Sequence, residues 1–369
     1  MDENKMKKET LPSFSIAIPC YNVEKFVEDA IKSVLRFQYN GEIQIIIVDD
    51  ASTDSTWQRI QKTLKHEALG KNICLVRHEI NKGVAAATDT AYQYATCEWL
   101  VKADADDIQM PGRLNAYAEL IRKYPRACAL VLACQRISED GKPYEFIPFS
   151  SFGKEVSEYY LYTPQQRYEG RLGIGHEPSF GDFGGTVAFK RELYLKWGNL
   201  VDDGCASTRF ADDTVWGARY MLSGPVVGSN VVSCLYRTRS SGNLEYRCKG
   251  NSYKDLILQE VESVKSISYQ AEANKRAKLC CLRAMHDSSL SDWQKDHILQ
   301  CAHRYEQRQL YFSVRAEWWN WSWFKRVVWY ILNRKKLLLV HQGWCFKRLI
   351  PLPFAAFARS IVLKLRQMS

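Results

Sequence analysis

Between Lys102 and Asp107 the chain reads Lys-Ala-Asp-Ala-Asp-Asp, which places three carboxylates within four residues. In an extended segment Asp104 and Asp106 fall on the same side, because side chains alternate with period two. Their charges repel one another unless a cation or hydroxyl groups accept them. Two readings are open at this point: a divalent-metal and phosphate site, or a solvated acidic turn. Asp49-Asp50 and the polar cluster Cys20-Tyr21-Asn22 offer further ligand or turn-capping groups. Asp212-Asp213 open a stretch of helical periodicity, where the helix dipole partly accounts for acids in a first turn.

The elements that must hold these groups share one pattern. Residues 14–18 form a short apolar run ended by Pro19, and residues 24–38 place Phe26, Val27, Ala30, Ile31, Val34 and Leu35 at helical spacing. Residues 43–48 are a continuous β-branched run, as a strand buried on both faces should be, and they end on Asp49 and Asp50. A helix marked by Trp57, Ile60 and Leu64, a strand at 73–76, a helix at 84–95 and a strand at 99–101 follow. This alternation predicts an α/β fold, a parallel sheet wound right-handedly with helices on both faces. All three polar clusters follow the carboxyl ends of strands, where open α/β sheets bind ligands. That convergence favours the ligand site over the solvated turn.

Beyond this, Pro111 suits the first position of a helix containing Leu114, Tyr117, Leu120 and Ile121, and 129–133 reads as a strand. Residues 138–181 read as irregular, a candidate acceptor loop or lid rich in Tyr, Phe, Ser and Gly. Strand at 184–189, helix at 192–197, helix at 212–222 and strand at 231–236 close this part. From about Leu244 the pattern turns helical, with Leu256, Ile257, Val261 and Val264 on one face. Two domains are expected, 1–243 and 244–369.

A chain that is 46% hydrophobic and 25% charged is neither disordered nor fibrous. The formal net charge of +10 belongs to the C-terminal end: residues 304–369 hold 13 Lys and Arg against 2 Asp and Glu. Twelve cysteines without a Cys-x-x-Cys pair, many in apolar runs, match buried thiols of a reducing compartment. The first ten residues are too polar for a signal peptide, and no apolar run approaches the roughly 18 residues of a membrane span. A cytoplasmic protein is expected.

Four segments resemble, in order, the signatures of family-2 glycosyltransferases: Ile18-Pro19-Cys20-Tyr21-Asn22, the run 48–56 beginning Val48-Asp49-Asp50-Ala51-Ser52, Asn81-Lys82-Gly83 with the alanines after it, and Asp104-Ala105-Asp106-Asp107. The likeness continues through Gly184-Gly185 and Asp212-Asp213. It implies a GT-A fold, a Rossmann-like and mainly parallel sheet, and an inverting transfer from a nucleoside-diphosphate sugar. By the resemblance Pro19, Tyr21 and Asp50 line the nucleoside, with Asp50 accepting a hydrogen bond from a uracil-like ring nitrogen. Turn capping is the other reading of Asp49 and Asp50. Asp104 contacts the donor, and Asp106 binds Mg²⁺ or Mn²⁺ bridging the phosphates. Hard oxygen ligands suit those ions, and one or two carboxylates suffice once diphosphate oxygens and waters fill the octahedron. Lys82 has two readings, a phosphate contact and an exposed turn lysine, and the second is favoured. By the resemblance Asp213 is the expected general base; Asp212-Asp213 stands where the family usually has Glu-Asp, and a sharing or exchange of roles between the two acids is the alternative reading. Arg237 and Arg239 match a basic position that closes over the diphosphate, or else are solvated loop charges. Nothing is transferred to Thr88-Asp89.

The C-terminal end holds six of the eleven tryptophans, interleaved with Lys and Arg. Tryptophan prefers the bilayer interface and basic residues meet anionic headgroups, so residues 311–369 are expected to dock on a membrane surface, with an internal bundle as the alternative and nucleic acid disfavoured. A glycan or lipid-linked acceptor would make such docking useful. The rival functions are a nucleotidyltransferase, which would need a Gly-rich basic loop where Pro19-Cys20-Tyr21-Asn22 stands, and a non-catalytic scaffold at the membrane.

Overall fold

The computed structural model describes residues 11–148, 159–161, 184–198, 212–224, 226–239, 264–286, 288, 292–318, 322–336 and 345. The chain divides into two compact units, Met1–Ser240 and Ser241–Ser369.

The first unit is built on β1 (Phe14–Cys20), α1 (Val27–Leu35), β2 (Ile43–Asp49), α2 (Thr56–Glu67), β3 (Asn72–Arg77), α3 (Val84–Gln93) and β4 (Trp99–Lys102). After these come β5 (Ile108–Gln109), α4 (Arg113–Lys123), β6 (Ala129–Ile137), β7 (Pro143–Ile147), β8 (Tyr159–Leu161), a 3₁₀ turn (Gly184–Thr186), β9 (Val187–Lys190), α5 (Arg191–Trp197), α6 (Asp212–Ser223) and β10 (Val226–Arg237). The sheet order is β3-β2-β1-β4-β9-β6-β10-β5, with β7 on β6 and β8 on β10. From β3 to β4 every pairing is parallel, as expected from the strand–helix alternation. Beyond β4 the sheet is mixed, because β9 runs antiparallel to both β4 and β6.

Every residue of β1 is buried, so an apolar run without alternation is what this position requires. Pro19 lies past the last residue of β1 paired with β4, where a missing N–H breaks no ladder on that side. On α1, Val27, Ala30, Ile31, Val34 and Leu35 are the buried apolar residues, one stripe at helical spacing. Val27, Ile31, Val34 and Leu35 pack with Ile16, Ile18, Ile45, Ile47, Trp99 and Val101 in the core. Burying side chains of this size contributes about 1.5–3 kcal/mol each.

Three expectations need correction. Pro111 is not in the helix: Arg113 N donates to Met110 O, so Pro111 is the second residue of a tight turn and α4 begins two residues later. The 138–181 segment is not wholly irregular, since β7 forms a hairpin with β6 about a turn in which Gly141 has φ 86°, and β8 pairs antiparallel with β10. Residues 184–186 are a 3₁₀ turn rather than strand.

In the second unit, α7 (Val264–Ala284) and α8 (Asp292–Glu317) pack together, burying Ala277, Cys280 and Cys281 of the former and Ile298, Ala302 and Tyr305 of the latter. Lys278 Nζ meets Glu306 Oε1 at 2.6 Å. A third helix, α9 (Trp323–Asn333), places Trp329 and Tyr330 against Tyr311, Val314 and Trp318. The expected helical face of Leu256, Ile257 and Val261 lies outside the described residues. Among the described residues no helix is long and apolar enough to cross a membrane.

Candidate functional site

The loops after β1 and β2 are stitched into one wall by short polar side chains. Asn22 N donates to Ser52 Oγ (3.1 Å), Val23 N to Thr56 Oγ1 (2.8 Å) and Glu24 N to Asp54 Oδ2 (3.1 Å). In return Thr53 N donates to Asn22 Oδ1 (2.9 Å) and Ser55 N to Glu24 Oε2 (3.1 Å). Asn22 and Ala51 adopt φ of 49° and 56°, a left-handed conformation that non-glycine residues rarely take. The Ser-Thr-Asp-Ser-Thr run is therefore largely a fastener. It leaves Tyr21, 44% exposed, at the rim.

Asp49 and Asp50 are both buried and do different work. Asp49 Oδ2 accepts from Arg77 Nε at 2.9 Å, and the Arg77 guanidinium lies 4.9 Å from the centre of the Trp57 ring. Asp50 Oδ1 meets His78 Nδ1 at 2.7 Å and accepts from Lys82 N at 2.8 Å, while Oδ2 accepts from Gly83 N at 2.7 Å. His78 Nε2 contacts Thr90 Oγ1 on α3 at 3.0 Å. Asp50 thus closes the 78–83 loop onto the end of β2. Gly83, at φ 91° and ψ 161°, opens α3 with its N–H turned to that carboxylate. Lys82 is exposed and contributes its backbone N–H to the same anchor.

The acidic stretch follows β4. Asp104 Oδ1 lies 3.2 Å from Lys102 Nζ, and Asp106 Oδ2 lies 2.7 Å from Arg239 Nε. Asp107 Oδ1 accepts from Arg237 N at 2.8 Å, while its buried Oδ2 has no partner. Burial raises the pKa of Asp106, opposed by Arg239 and reinforced by Asp104. Burial, with Cys234, Asp106 and Asp104 nearby, pushes Asp107 well above the usual carboxylate range. Cys20 also sits here, and burial together with Asp49 and Asp106 keeps its thiol protonated, which is the opposite of an activated nucleophile.

Two supports brace this stretch from behind. Gly185 packs so closely that an added Cβ would lie 2.9 Å from Asp104 Oδ2. Arg113, fully buried, donates through Nη2 to Lys102 O (3.2 Å) and Tyr117 Oη (3.1 Å), and through Nη1 to Gln109 Oε1. Tyr117 Oη in turn donates to Thr186 O at 2.7 Å. Arg237 crosses to Asp106 O (3.0 Å) and Glu139 O (2.7 Å), its guanidinium 5.0 Å from the Phe26 ring centre.

The structure therefore brings Pro19, Tyr21, Asp50, Lys82, Asp104 and Asp106 to the carboxyl ends of β1, β2, β3 and β4. Asp212 and Asp213 open α6, and the placement of their side chains lies outside the described residues. His78 and Arg113 are supporting groups that no motif in the sequence names, whereas Gly185 lies in the Gly184-Gly185 pair of the resemblance. His78 directly follows a strand end, the one signal that singles it out. Arg113 looks like an ordinary surface arginine of an amphipathic helix, and nothing in the sequence marks it as buried.

A hard-oxygen donor set, with an unpartnered buried oxygen on Asp107, suits Mg²⁺ or Mn²⁺. Among the described residues no three His, Cys, Asp or Glu side chains converge as a metal cage.

Residues 15–196 match the family "Glycosyl transferase family 2". The chain is similar to the uncharacterized glycosyltransferase EpsJ of Bacillus subtilis, 26% identical over 215 residues, 55% of this chain and 54% of that protein. It is also similar to the UDP-Glc:alpha-D-GlcNAc-diphosphoundecaprenol beta-1,3-glucosyltransferase WfgD of Escherichia coli, 31% identical over 109 residues, 30% of this chain and 41% of that protein. The chain thus spans about half the length, or less, of these relatives. In fold it resembles S. aureus TarS 1–349 in complex with UDP-GlcNAc, with a TM-score of 0.52, 15% identity, and coverage of 92% of this chain and 82% of that one. Residues 15–196 belong to glycosyltransferase family 2, and the first unit is a GT-A fold.

Proposed function

We propose that this protein transfers a sugar from a uridine-diphosphate sugar to a hydroxyl of a glycan or lipid-linked saccharide, with inversion, in cell-surface polysaccharide synthesis at the cytoplasmic face of the membrane. The observation that carries this reading is the pairing of Asp104 with Lys102 and of Asp106 with Arg239 at the carboxyl end of β4. Carboxylates and cations are interleaved there, as a site for a metal-bound diphosphate requires. The name of WfgD gives UDP-Glc as its donor, and TarS 1–349 is in complex with UDP-GlcNAc, which supports the choice of nucleoside.

Tyr21 and Pro19 form the wall for the base, and Asp50 fixes the loop that closes it. Asp104 contacts the donor sugar or ribose. Asp106 would hold Mg²⁺ or Mn²⁺, with the diphosphate and water supplying the remaining oxygens, and the ion would supply stabilisation of charge on the departing diphosphate. Lys102 and Arg239 exchange their carboxylate partners for phosphate oxygens as the donor enters. Asp213, with Asp212 beside it, removes the proton from the acceptor hydroxyl, a role worth about 10²–10⁴ in rate. The catalytic groups belong to residues 1–243, and residues 244–369 are a helical region for acceptor or membrane contact.

Hydrolysis of UDP-sugars is the direct test. Wild-type protein should release UDP only with Mg²⁺ or Mn²⁺, Asp106→Ala should lose both release and metal-dependent UDP binding, and Asp213→Ala should keep binding while losing turnover. Equal release by all three would refute the assignment, and stabilisation by guanosine rather than uridine diphosphate would refute the donor.

A further inference from the structure

The helices of the second unit differ in what they show to water. Among the described residues of α8 the exposed ones are Asp292, Asp296, Gln300, His303, Glu306, Ser313 and Glu317, all polar, as on the outer face of an ordinary amphipathic helix. Among the described residues of α9 the exposed ones are Phe324 (71%), Lys325, Val328 (38%), Ile331 (56%) and Leu332 (72%). Phe324, Val328, Ile331 and Leu332 are spaced i, i+4, i+7 and i+8, so they form one stripe. Trp329 and Tyr330 point elsewhere around the helix, into the Tyr311, Val314 and Trp318 cluster. The helix is therefore held by one apolar face and presents a second.

What covers that second face is indicated by charge. Lys325 is exposed on α9, Lys335 and Lys336 are exposed in the 3₁₀ turn that follows it, and residues 318–369 contain no Asp or Glu. A second copy of the chain would bring the same positive charge to the contact, and nucleic acid would leave the apolar stripe in water. An anionic phospholipid surface satisfies both, taking the apolar row below the headgroups and the lysines among them. Eleven residues span about 16 Å, roughly half a hydrocarbon core, so the helix lies along the surface rather than across it.

We infer that α9 is a membrane-surface docking helix, inserting Phe324, Val328, Ile331 and Leu332 into an anionic bilayer with Lys325, Lys335 and Lys336 at the headgroups. Co-sedimentation of the full chain with equimolar phosphatidylglycerol–phosphatidylcholine vesicles tests it. Wild-type protein should pellet at about 0.1 M salt, less at about 0.5 M, and weakly with phosphatidylcholine alone. Lys325→Gln/Lys335→Gln/Lys336→Gln should weaken partition roughly fivefold per charge. Phe324→Ser/Ile331→Ser/Leu332→Ser should abolish pelleting while leaving the melting temperature and UDP-sugar hydrolysis as in wild type. Undiminished pelleting by both variants would overturn the inference. So would wild-type protein that ignores vesicles but forms a dimer that the serine variant dissociates. If the serine variant does not fold, hydrogen exchange of residues 323–336 in the wild type decides: added protection on vesicle addition supports docking, and none refutes it.

Discussion

Replacing Asp50 by Asn separates two jobs that the carboxylate can have. In the structure it accepts from two backbone N–H groups, Lys82 and Gly83, and meets His78 Nδ1, all within 2.8 Å. Asn keeps the shape but turns one oxygen into a donor. Placing that nitrogen at the Oδ2 position loses least, since only Gly83 N–H is then left facing another donor. A hydrogen bond to a charged group contributes about 1.5–3 kcal/mol, and a stranded buried N–H costs a similar amount. We expect Asp50→Asn to destabilise the first unit by about 2 kcal/mol. For a unit of this size that is a fall of roughly 4–8 °C in Tm. Circular dichroism melts with and without UDP measure it. His78→Ala should fall in the same range, because it removes one contact from the same anchor. A melting temperature within about 1 °C of wild type, with UDP binding lost, would refute the reasoning: Asp50 would then be a ligand group and not the loop's anchor.

Gly185→Ala should push the Asp104 carboxylate aside, since its Cβ would stand 2.9 Å from Oδ2; we expect weaker UDP-sugar binding by calorimetry with Tm lowered by no more than a few degrees. Arg239→Gln removes the cation from Asp106, and at about 1 kcal/mol for such a pair Mn²⁺ should bind roughly fivefold tighter without nucleotide, measured by titration calorimetry. Burial, with Glu98 nearby, pushes the Tyr39 hydroxyl up to about 12 from an ordinary value of 10.0. Its folded pKa is raised, so its contribution is complete below pH 10 and lost as pH rises toward 12. Denaturant melts should therefore weaken more steeply across that window in wild type than in Tyr39→Phe.

The half of the sheet from β3 to β4 was legible because continuous apolar strands and amphipathic helices each carry their own period. The site followed from it, since strand ends in such a sheet converge. What lay hidden depends on contacts between distant segments. His78 anchors a loop by meeting an aspartate 28 residues away, and Arg113 reads as a surface residue until Tyr117 and the end of β4 close around it. The β6–β7 hairpin does have a local signature, since Asp140-Gly141 is a strong turn signal between two strand-forming runs. The break from parallel order at β9 has no local signature, because a four-residue strand such as Val187–Lys190 takes its direction from its neighbours.

That short strand also sets an order of assembly. β9 fills the gap between β4 and β6, and it is translated more than fifty residues after β6 begins. Until residue 190 has left the ribosome, β4 and β6 each have an edge without its final neighbour, and open edges invite pairing with other chains. Arg237 and Arg239, which meet the backbone and carboxylate of Asp106, emerge later still. The nascent chain thus carries the Asp104 to Asp107 stretch without these partners while the 130 residues from Asp107 to Arg237 are made. The catalytic end of the sheet is the last part of the first unit to become complete.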